Sequence, residues 1–126
     1  MNRILVVDDD AEQLFLLQTL LEKNGYQVAT LGRASVATKV VEAFSPQVIL
    51  LDIKLVELDG RDICMELKKN NKTKHIKIIL YSGYNITKDE YELYGADDFI
   101  SKSVNPKDLL KKIEVHAKSN IYTNRR

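Results

Sequence analysis

Positions 3–10 of the chain are RILVVDDD, a short apolar run that stops abruptly at three aspartates. An apolar run of this length, rich in β-branched residues, is typical of a strand buried on both faces of a sheet. The pattern returns at positions 47–51, where QVILL is followed by Asp52. Two such strands predict a parallel sheet with carboxylates at one edge.

Strand and helix patterns alternate along the rest of the chain. Leucines spaced three and four residues apart predict a first helix from Ala11 to the residues before Gly25. Asp9 or Asp10 can cap its start. A capping-box pattern at Thr87 predicts the start of a short fourth helix. The other expected elements are strands at 26–31, 76–81 and 98–100 and helices that include 36–44, 63–67 and 106–117.

Five strands that alternate with five helices predict an α/β fold, a doubly wound parallel sheet covered by helices on both faces. In the flavodoxin-like (βα)5 strand order, 2-1-3-4-5, the first and third strands lie side by side. Ligands bind such sheets at the carboxyl ends of these strands. The aspartates at 8–10 and Asp52 are therefore expected to meet at the binding edge.

Length and composition exclude several classes of protein. A chain of 126 residues is the size of one domain, and 44% hydrophobic with 29% charged residues are ordinary values for a globular fold. The single cysteine, Cys64, cannot form an internal disulfide. The longest apolar runs have four residues, far fewer than the roughly 20 that span a bilayer, and no signal-peptide core follows Met1. We therefore expect a cytoplasmic protein without a membrane partner.

The formal net charge is +1, which gives little attraction toward nucleic acid or anionic lipid. Residues 1–60 carry five basic and nine acidic residues, whereas residues 61–126 carry 14 and nine. The basic residues of the second half are scattered along the expected helices, which is typical of a solvated face. We therefore expect no direct nucleic-acid binding.

Crowded carboxylates at one sheet edge require a cation. Each pair at 4 Å repels by about 4 kcal/mol if the effective dielectric constant is near 20. Mg²⁺ prefers oxygen ligands and commonly binds one or two carboxylates together with phosphate oxygens. Strand four is followed by Ser82-Gly83, and Lys102, a compact cation suited to phosphate, follows strand five. The edge therefore predicts a site for both metal and phosphate.

An ordered set of residues also carries a resemblance to a known family. The set consists of Asp8 and Asp9, Asp52, Asp59-Gly60, Ser82, Phe99 and Lys102. In this order and register it resembles the response-regulator receiver domains of two-component signalling, and most closely the stand-alone, single-domain members of the chemotaxis and sporulation type. The resemblance runs from Arg3 to about Lys118, so we expect a receiver domain at 1–118 and a tail or the start of a linker at 119–126.

The resemblance implies a phospho-accepting switch that catalyses its own phosphorylation and dephosphorylation. Asp52 would take a phosphoryl group from a phosphohistidine on a sensor histidine kinase or a phosphotransfer protein of a phosphorelay. Mg²⁺ would be held by Asp8, Asp9, Asp52 and the carbonyl group of Lys54. Lys102 would neutralise charge on the phosphoryl oxygens.

The resemblance also implies how the signal leaves the site. Ser82 would move to hydrogen-bond the phosphoryl group, Gly83 would leave room for it, and Phe99 would turn inward. Helix four, strand five and helix five would then present a changed surface to a downstream protein target. No output domain is expected after helix five, and we expect a monomer or a weak, phosphorylation-dependent dimer.

Two positions depart from the family pattern. Ser103 follows Lys102 where relatives usually have a proline in a cis peptide, and Leu55-Val56 stands where a Met-Pro pair is frequent. The bulky side chains of Lys54 and Tyr84 fall where relatives flank the path of the attacking water. We interpret that pair as a determinant of the lifetime of the acyl phosphate.

Plainer interpretations of the same residues remain open. The aspartates at 8–10 could only cap a helix, Ser82-Gly83 could be a simple turn, and Phe99 could be an ordinary core residue. For the remaining chemistry-bearing residues we expect a surface or boundary role for both histidines, a buried apolar role for the cysteine and a turn at the paired aspartates: His75, His116, Cys64, Asp97 and Asp98.

Two other functions compete with the switch. One is a receiver-like interaction module that binds partners without phosphate, against which the complete acidic set argues. The other is a phosphatase of the haloacid-dehalogenase type, whose Asp-x-Asp signature is met superficially at positions 8–10. That second function would leave Asp52 without a role, and Ala11-Glu12 does not match the residues expected after its signature.

Overall fold

The computed structural model describes residues 2–124, and the side chains of residues 2–118. Its strands are β1 (Arg3–Val7), β2 (Gln27–Leu31), β3 (Val48–Asp52), β4 (Lys77–Ser82) and β5 (Asp98–Ser101). Its helices are α1 (Ala11–Lys23), α2 (Ala37–Phe44), α3 (Gly60–Lys69), α4 (Lys88–Leu93) and α5 (Pro106–Asn124), and one 3₁₀ turn (Ala34–Val36) precedes α2.

The five strands form one parallel sheet in the order β2-β1-β3-β4-β5, as the alternating sequence pattern predicts. Buried apolar side chains on every residue of β3 except its last explain why that strand lies at the centre. The pairing of Asp52 with Tyr81 and of Ser82 with Ser101 extends β3 and β4 by one residue beyond the predicted ends. Asp52 and Ser82 therefore sit on the rigid ladder itself.

Alternate side chains of the strands belong to two separate hydrophobic cores, because successive side chains point to opposite faces of the sheet. On one face α1 and α5 cover the sheet, with these buried residues: Ile4, Val6, Leu17, Leu21, Val48, Leu50, Ile79, Tyr81, Ile100, Leu109, Ile113 and Ala117. On the other face α2 and α3 contribute to a core that includes Leu5, Val7, Val41, Ile49, Leu51, Ile63, Cys64, Leu67, Ile78 and Leu80. The sheet is covered on both sides, as a doubly wound fold requires.

Local signals at the helix ends agree with the structure. The Asp10 carboxylate accepts hydrogen bonds from the backbone N–H groups of Glu12 and Gln13 and so caps α1. At α4 the predicted capping box of Thr87 and Glu90 is present. The last helix, α5, continues to Asn124, beyond the domain boundary expected at Lys118, while the final two residues of the expected tail lie outside the described part of the chain.

Candidate functional site

The carboxyl ends of β1 and β3 bring two buried carboxylates to one place. Asp8 directly follows β1 and is 0% exposed, and Asp52 ends β3 and is 2% exposed. Asp9 is exposed at the rim. One carboxylate oxygen from each of the three residues lies within 4.8 Å of the others, so the predicted acidic cluster could hold a metal ion.

The Asp8 carboxylate is only half satisfied by hydrogen bonds. Its Oδ1 accepts from the backbone N–H of Asp10 at 2.9 Å. Its Oδ2 is buried and has no hydrogen-bond partner, although the Lys102 ammonium lies 3.3 Å away. This long ion pair, which Lys102 shares with Asp52, leaves the buried oxygen short of partners, and an oxygen-binding divalent cation would satisfy it. The donor set therefore fits Mg²⁺.

Asp52 is held at both oxygens. Its Oδ1 accepts from the backbone N–H of Lys54 at 3.2 Å, and its Oδ2 accepts from the Lys102 ammonium at 3.0 Å. Burial raises the pKa of Asp52, and the neighbouring Asp8 adds to the rise, while the hydrogen bond from Lys102 opposes it. The orientation of the carboxylate is thus fixed, and its negative charge is balanced chiefly by the Lys102 ammonium.

Lys102 is tied to the site by its backbone as well as by its side chain. Its N–H donates to the carbonyl of Ser82 at 2.7 Å, which anchors the loop to β4. Burial lowers the pKa of Lys102, but the contacts with Asp52 and Asp8 outweigh that effect and leave the pKa raised. No peptide bond in the described part of the chain is cis, so Ser103 follows Lys102 through a trans bond.

Ser82 and Gly83 border the acidic cluster from β4. Ser82 is buried, and its hydroxyl oxygen accepts a hydrogen bond from the backbone N–H of Tyr84 at 3.2 Å. A Cβ added at Gly83 would meet nothing within 4 Å. The fold itself therefore does not require glycine at this position. Phe99, in β5, is half-buried and packs against the core on the α2/α3 face.

The loop after β3 is pinned against the back of Asp52. The N–H of Gly60 donates to the carbonyl of Ile53 at 2.8 Å, and a Cβ at Gly60 would lie 1.9 Å from the carbonyl oxygen of Asp52. Asp59 caps α3 and forms a salt bridge with Arg61 of 2.6 Å, and hydrogen bonds from Arg61 lower the pKa of Asp59. The Asp59-Gly60 pair thus shapes the loop rather than the pocket.

Several polar residues have roles that sequence reasoning missed. Asp97 accepts from the Lys68 ammonium at 2.7 Å and from the backbone N–H of Ile78 at 2.9 Å, and so ties α3 to the sheet. Asp98 begins β5, which confirms the strand expected at 98–100 and shows that the expectation of a turn is wrong for this residue. Its carboxylate accepts from Lys112 at 3.0 Å.

His116 is a boundary residue, as predicted, but it does have a partner. Its Nε2 lies 2.9 Å from Asp98 Oδ2. Lys112 and His116 are four residues apart on α5, which puts them on one helix face, yet no local signal indicates that this face meets Asp98. Cys64 is buried, as expected, and burial raises the pKa of its thiol to about 12, so the thiol is inert at neutral pH.

Comparison with known proteins finds a consistent set of relatives. The family model described as "Response regulator receiver domain" matches residues 4–114. The chain is 32% identical over 113 residues to the alkaline phosphatase synthesis transcriptional regulatory protein PhoP of Bacillus subtilis, covering 90% of this chain and 47% of PhoP. The chain therefore spans about half the length of the curated relatives that it matches.

Solved structures agree with the fold. A receiver domain protein (CheY-like) from Methanospirillum hungatei JF-1 superposes with a TM-score of 0.87 at 32% identity, covering 98% of both chains. TrrA of Thermotoga maritima, solved in complex with Mg(2+)-BeF, superposes with a TM-score of 0.82 at 31% identity, covering 92% of this chain and 99% of TrrA.

The expectations about partners are only partly supported. Curated relatives are named as transcriptional or DNA-binding regulators, so the expectation of no direct nucleic-acid binding finds no support among them. Within the part of the chain that the structure describes, none of the helices combines the length and apolar character needed to cross a bilayer.

Proposed function

This chain belongs to the response regulator receiver domain family, and we propose that it is a phospho-accepting switch whose acceptor is Asp52. The observation that carries the proposal is the buried Asp8–Asp52 pair with Lys102 between them, 3.3 and 3.0 Å from their Oδ2 atoms. A pair of buried acids beside one cation suits a reaction that brings in further negative charge only when a divalent ion is also present. TrrA, bound to Mg(2+)-BeF, supports this assignment by likeness.

The phosphoryl donor is proposed to be a phosphohistidine on a sensor kinase or a phosphotransfer protein. An oxygen of Asp52 attacks phosphorus in line, the phosphorus–nitrogen bond breaks, and its electron pair returns to the imidazole of the donor, which takes up a proton. Phosphoryl transfer depends on positioning and charge neutralisation more than on activation of the nucleophile. The hydrogen bond from the Lys54 backbone orients the Asp52 carboxylate before the transfer.

Mg²⁺, when bound by Asp8, Asp9, Asp52 and the carbonyl of Lys54, would neutralise charge on the transferred group. Lys102 would exchange its contact with Asp52 for one with a phosphoryl oxygen. Ser82 would give up its bond with the Tyr84 amide and donate its hydroxyl hydrogen to the same group. Because a side chain at Gly83 would meet open space, that position leaves room for the phosphoryl oxygens.

The output surface is proposed to comprise α4, β5 and α5. No residue of α4 is fully buried, and Phe99 of β5 is only half-buried, so α4 and the Phe99 side chain have little packing to resist a change. Movement of Ser82 toward the phosphoryl group frees space that Phe99 can fill. The altered surface would bind a downstream protein or a second copy of the domain.

The test is uptake of one phosphoryl group from acetyl phosphate, read by intact mass. Wild type should gain the mass of one group in the presence of Mg²⁺ and not in excess chelator, and Asp52→Asn should gain none. Glu57→Gln, an exposed change in the neighbouring loop, is the matched control and should behave as wild type. Failure of wild type to gain mass at any Mg²⁺ concentration would favour an interaction module that works without phosphate.

A further inference from the structure

Tyr81, the residue before Ser82, lies directly beside the Lys102 ammonium. Its side chain is on the α1/α5 face of the sheet, and the residue is only 3% exposed. The Lys102 Nζ atom lies 5.2 Å from the centre of the Tyr81 ring. A cation within about 6 Å of an aromatic face is attracted by the negative charge on that face. The ring is therefore a third partner of Lys102, after the two carboxylates.

The Tyr81 ring is itself fixed at both ends. Its backbone pairs with Asp52 in the β3–β4 ladder, so the residue that carries the ring and the acceptor residue are direct neighbours in the sheet. Its hydroxyl oxygen accepts a hydrogen bond from the side-chain amide of Gln13 on α1. The strand pairing and the hydrogen bond from α1 both restrict the ring. A restricted ring can hold a more mobile neighbouring side chain in one position.

The Lys102 side chain is long, and a second position is open to it besides the acidic cluster. A fixed aromatic ring near the cluster can therefore favour one of the two positions. The side chain is 32% exposed, and it lines a groove of about 280 Å³ between α1 and α5 together with Tyr81, Val104 and Pro106. A lysine stem has four rotatable bonds, so the ammonium can leave the acidic cluster for this groove or for solvent. The electron-rich face of Tyr81 stabilises the ammonium on the side of the acids.

We propose that Tyr81 is a positioning residue for Lys102, whose aromatic face holds the ammonium at the phosphoryl-accepting end of Asp52. The inference rests on the proposed function and adds to it a residue that acts through Lys102 without touching the phosphoryl group. The contribution is greatest when Lys102 leaves Asp52 for a phosphoryl oxygen, since the ring then remains as a fixed partner on its other side.

The experiment varies the electron density of the aromatic face with little change in the size of the ring. In the full chain, position 81 is changed from Tyr to Phe and then to phenylalanines with one, two and three ring fluorines. Each fluorine draws electron density from the aromatic face. The rate of phosphoryl uptake is measured with saturating acetyl phosphate and Mg²⁺, and thermal unfolding of each protein checks that the fold is kept.

The rate should fall with each fluorine, by roughly two- to thirtyfold across the series. The same series in a Lys102→Met background should show no trend, because the cation is gone. A rate that is unchanged across the series with Lys102 present would overturn the inference. A trend of equal size in the Lys102→Met background would also overturn it, because the effect would then belong to the ring alone.

A second readout needs neither metal nor phosphodonor. Ring currents should shift the ε-methylene protons of Lys102 upfield in wild type and in Tyr81→Phe, and this shift should disappear in Tyr81→Leu. Identical resonances in Tyr81→Leu would contradict the contact. If wild type takes up no phosphoryl group, the proposed function fails and the positioning role fails with it, whereas uptake with a flat fluorine series defeats the positioning role alone.

Discussion

Two glycines beside the site differ in what the backbone requires of them. A Cβ at Gly60 would lie 1.9 Å from the carbonyl oxygen of Asp52, whereas a Cβ at Gly83 would meet nothing. Gly60→Ala should therefore destabilise the fold by about 1–3 kcal/mol or more, since backbone must move. Gly83→Ala should leave stability within about 0.5 kcal/mol of wild type but slow phosphoryl uptake.

Denaturant unfolding and the mass assay on the two glycine variants separate these effects. Each variant serves as the control of the other, because both add one methyl group beside the same site. Equal stability of Gly60→Ala and wild type would show that the loop is not pinned as described. Uptake at the wild-type rate in Gly83→Ala would show that the position does not limit access of the phosphoryl group.

The side chains of Lys54 and Tyr84 are expected to set the lifetime of the acyl phosphate. Lys54 is exposed, and Tyr84, two residues after Ser82, is 45% exposed. Replacing both by Ala keeps the backbone N–H groups that bond to Asp52 and Ser82, so only the shielding from water is lost. Dephosphorylation, followed by the loss of labelled protein over time, should accelerate severalfold. An unchanged rate would refute the role of the pair.

The sequence predicts the positions of site residues that lie at the ends of strands. It does not predict contacts between side chains that come together through packing. Asp8, Asp52 and Ser82 could be placed because parallel strands end at a common edge. The neighbours of Tyr81 could not, since nothing local indicates that α1 presents Gln13 to its hydroxyl or that Lys102 folds back over its ring.

Among the elements, α4 depends unusually strongly on its cap. It has six residues, none of them fully buried, and the Thr87 hydroxyl oxygen accepts from the backbone N–H of Glu90 at 3.2 Å. Loss of an N-cap costs about 0.5–2 kcal/mol. Thr87→Ala should therefore speed hydrogen exchange of the α4 amides while the amides of β3 and β4 keep their protection. Equal acceleration in all three elements would contradict the view of α4 as a separately opening unit.

The junction of β5 and α5 should make stability depend on pH. Burial alone would raise the pKa of Asp98, but contacts with His116, the Phe99 amide and Lys112 lower it to about 2. The ordinary value is about 3.9. The unfolded chain therefore takes up this proton first as pH falls, so the stabilisation is complete above about pH 4 and is lost toward about pH 2.

The measurement is the free energy of unfolding between pH 5 and pH 2 for wild type and Asp98→Asn. The difference between the two should shrink as pH falls through this window. Glu57→Gln, an exposed change that removes one carboxylate, is the matched control. A constant difference between wild type and Asp98→Asn down to pH 2 would show that the contacts of Asp98 do not favour its charged form.

Where the sequence pattern misplaces the end of a strand or helix, the cause is pairing with another part of the chain. The periodic patterns predict the five strands and five helices, but β3, β4 and β5 each extend one residue further than expected because the ladder carries pairing to Asp52, Ser82 and Ser101. The 3₁₀ turn before α2 is not predicted, since no side chain caps that turn or α2. Boundaries set by a neighbouring element cannot be read from local sequence.

For the whole molecule, the order of the strands explains why a site exists at all. With β1 and β3 adjacent at the centre, Asp8 and Asp52 are forced together, and their charge is offset by Lys102 from the loop after β5. Each contribution comes from a different part of the chain, so the acidic cluster and its cation come together only in the folded sheet. The same sheet joins the cluster to Phe99 and the α4/α5 side of the molecule.

Reductive trapping identifies the residue of this cluster that accepts phosphorus, which we assign to Asp52. The protein is incubated with Mg²⁺ and acetyl phosphate and treated with borohydride, which converts an acyl phosphate on aspartate to homoserine, and the peptides are then mapped. Homoserine at position 52, absent from Asp52→Asn, is the predicted result. Homoserine at position 8, as a dehalogenase-type phosphatase would give, or at neither position, would contradict the account.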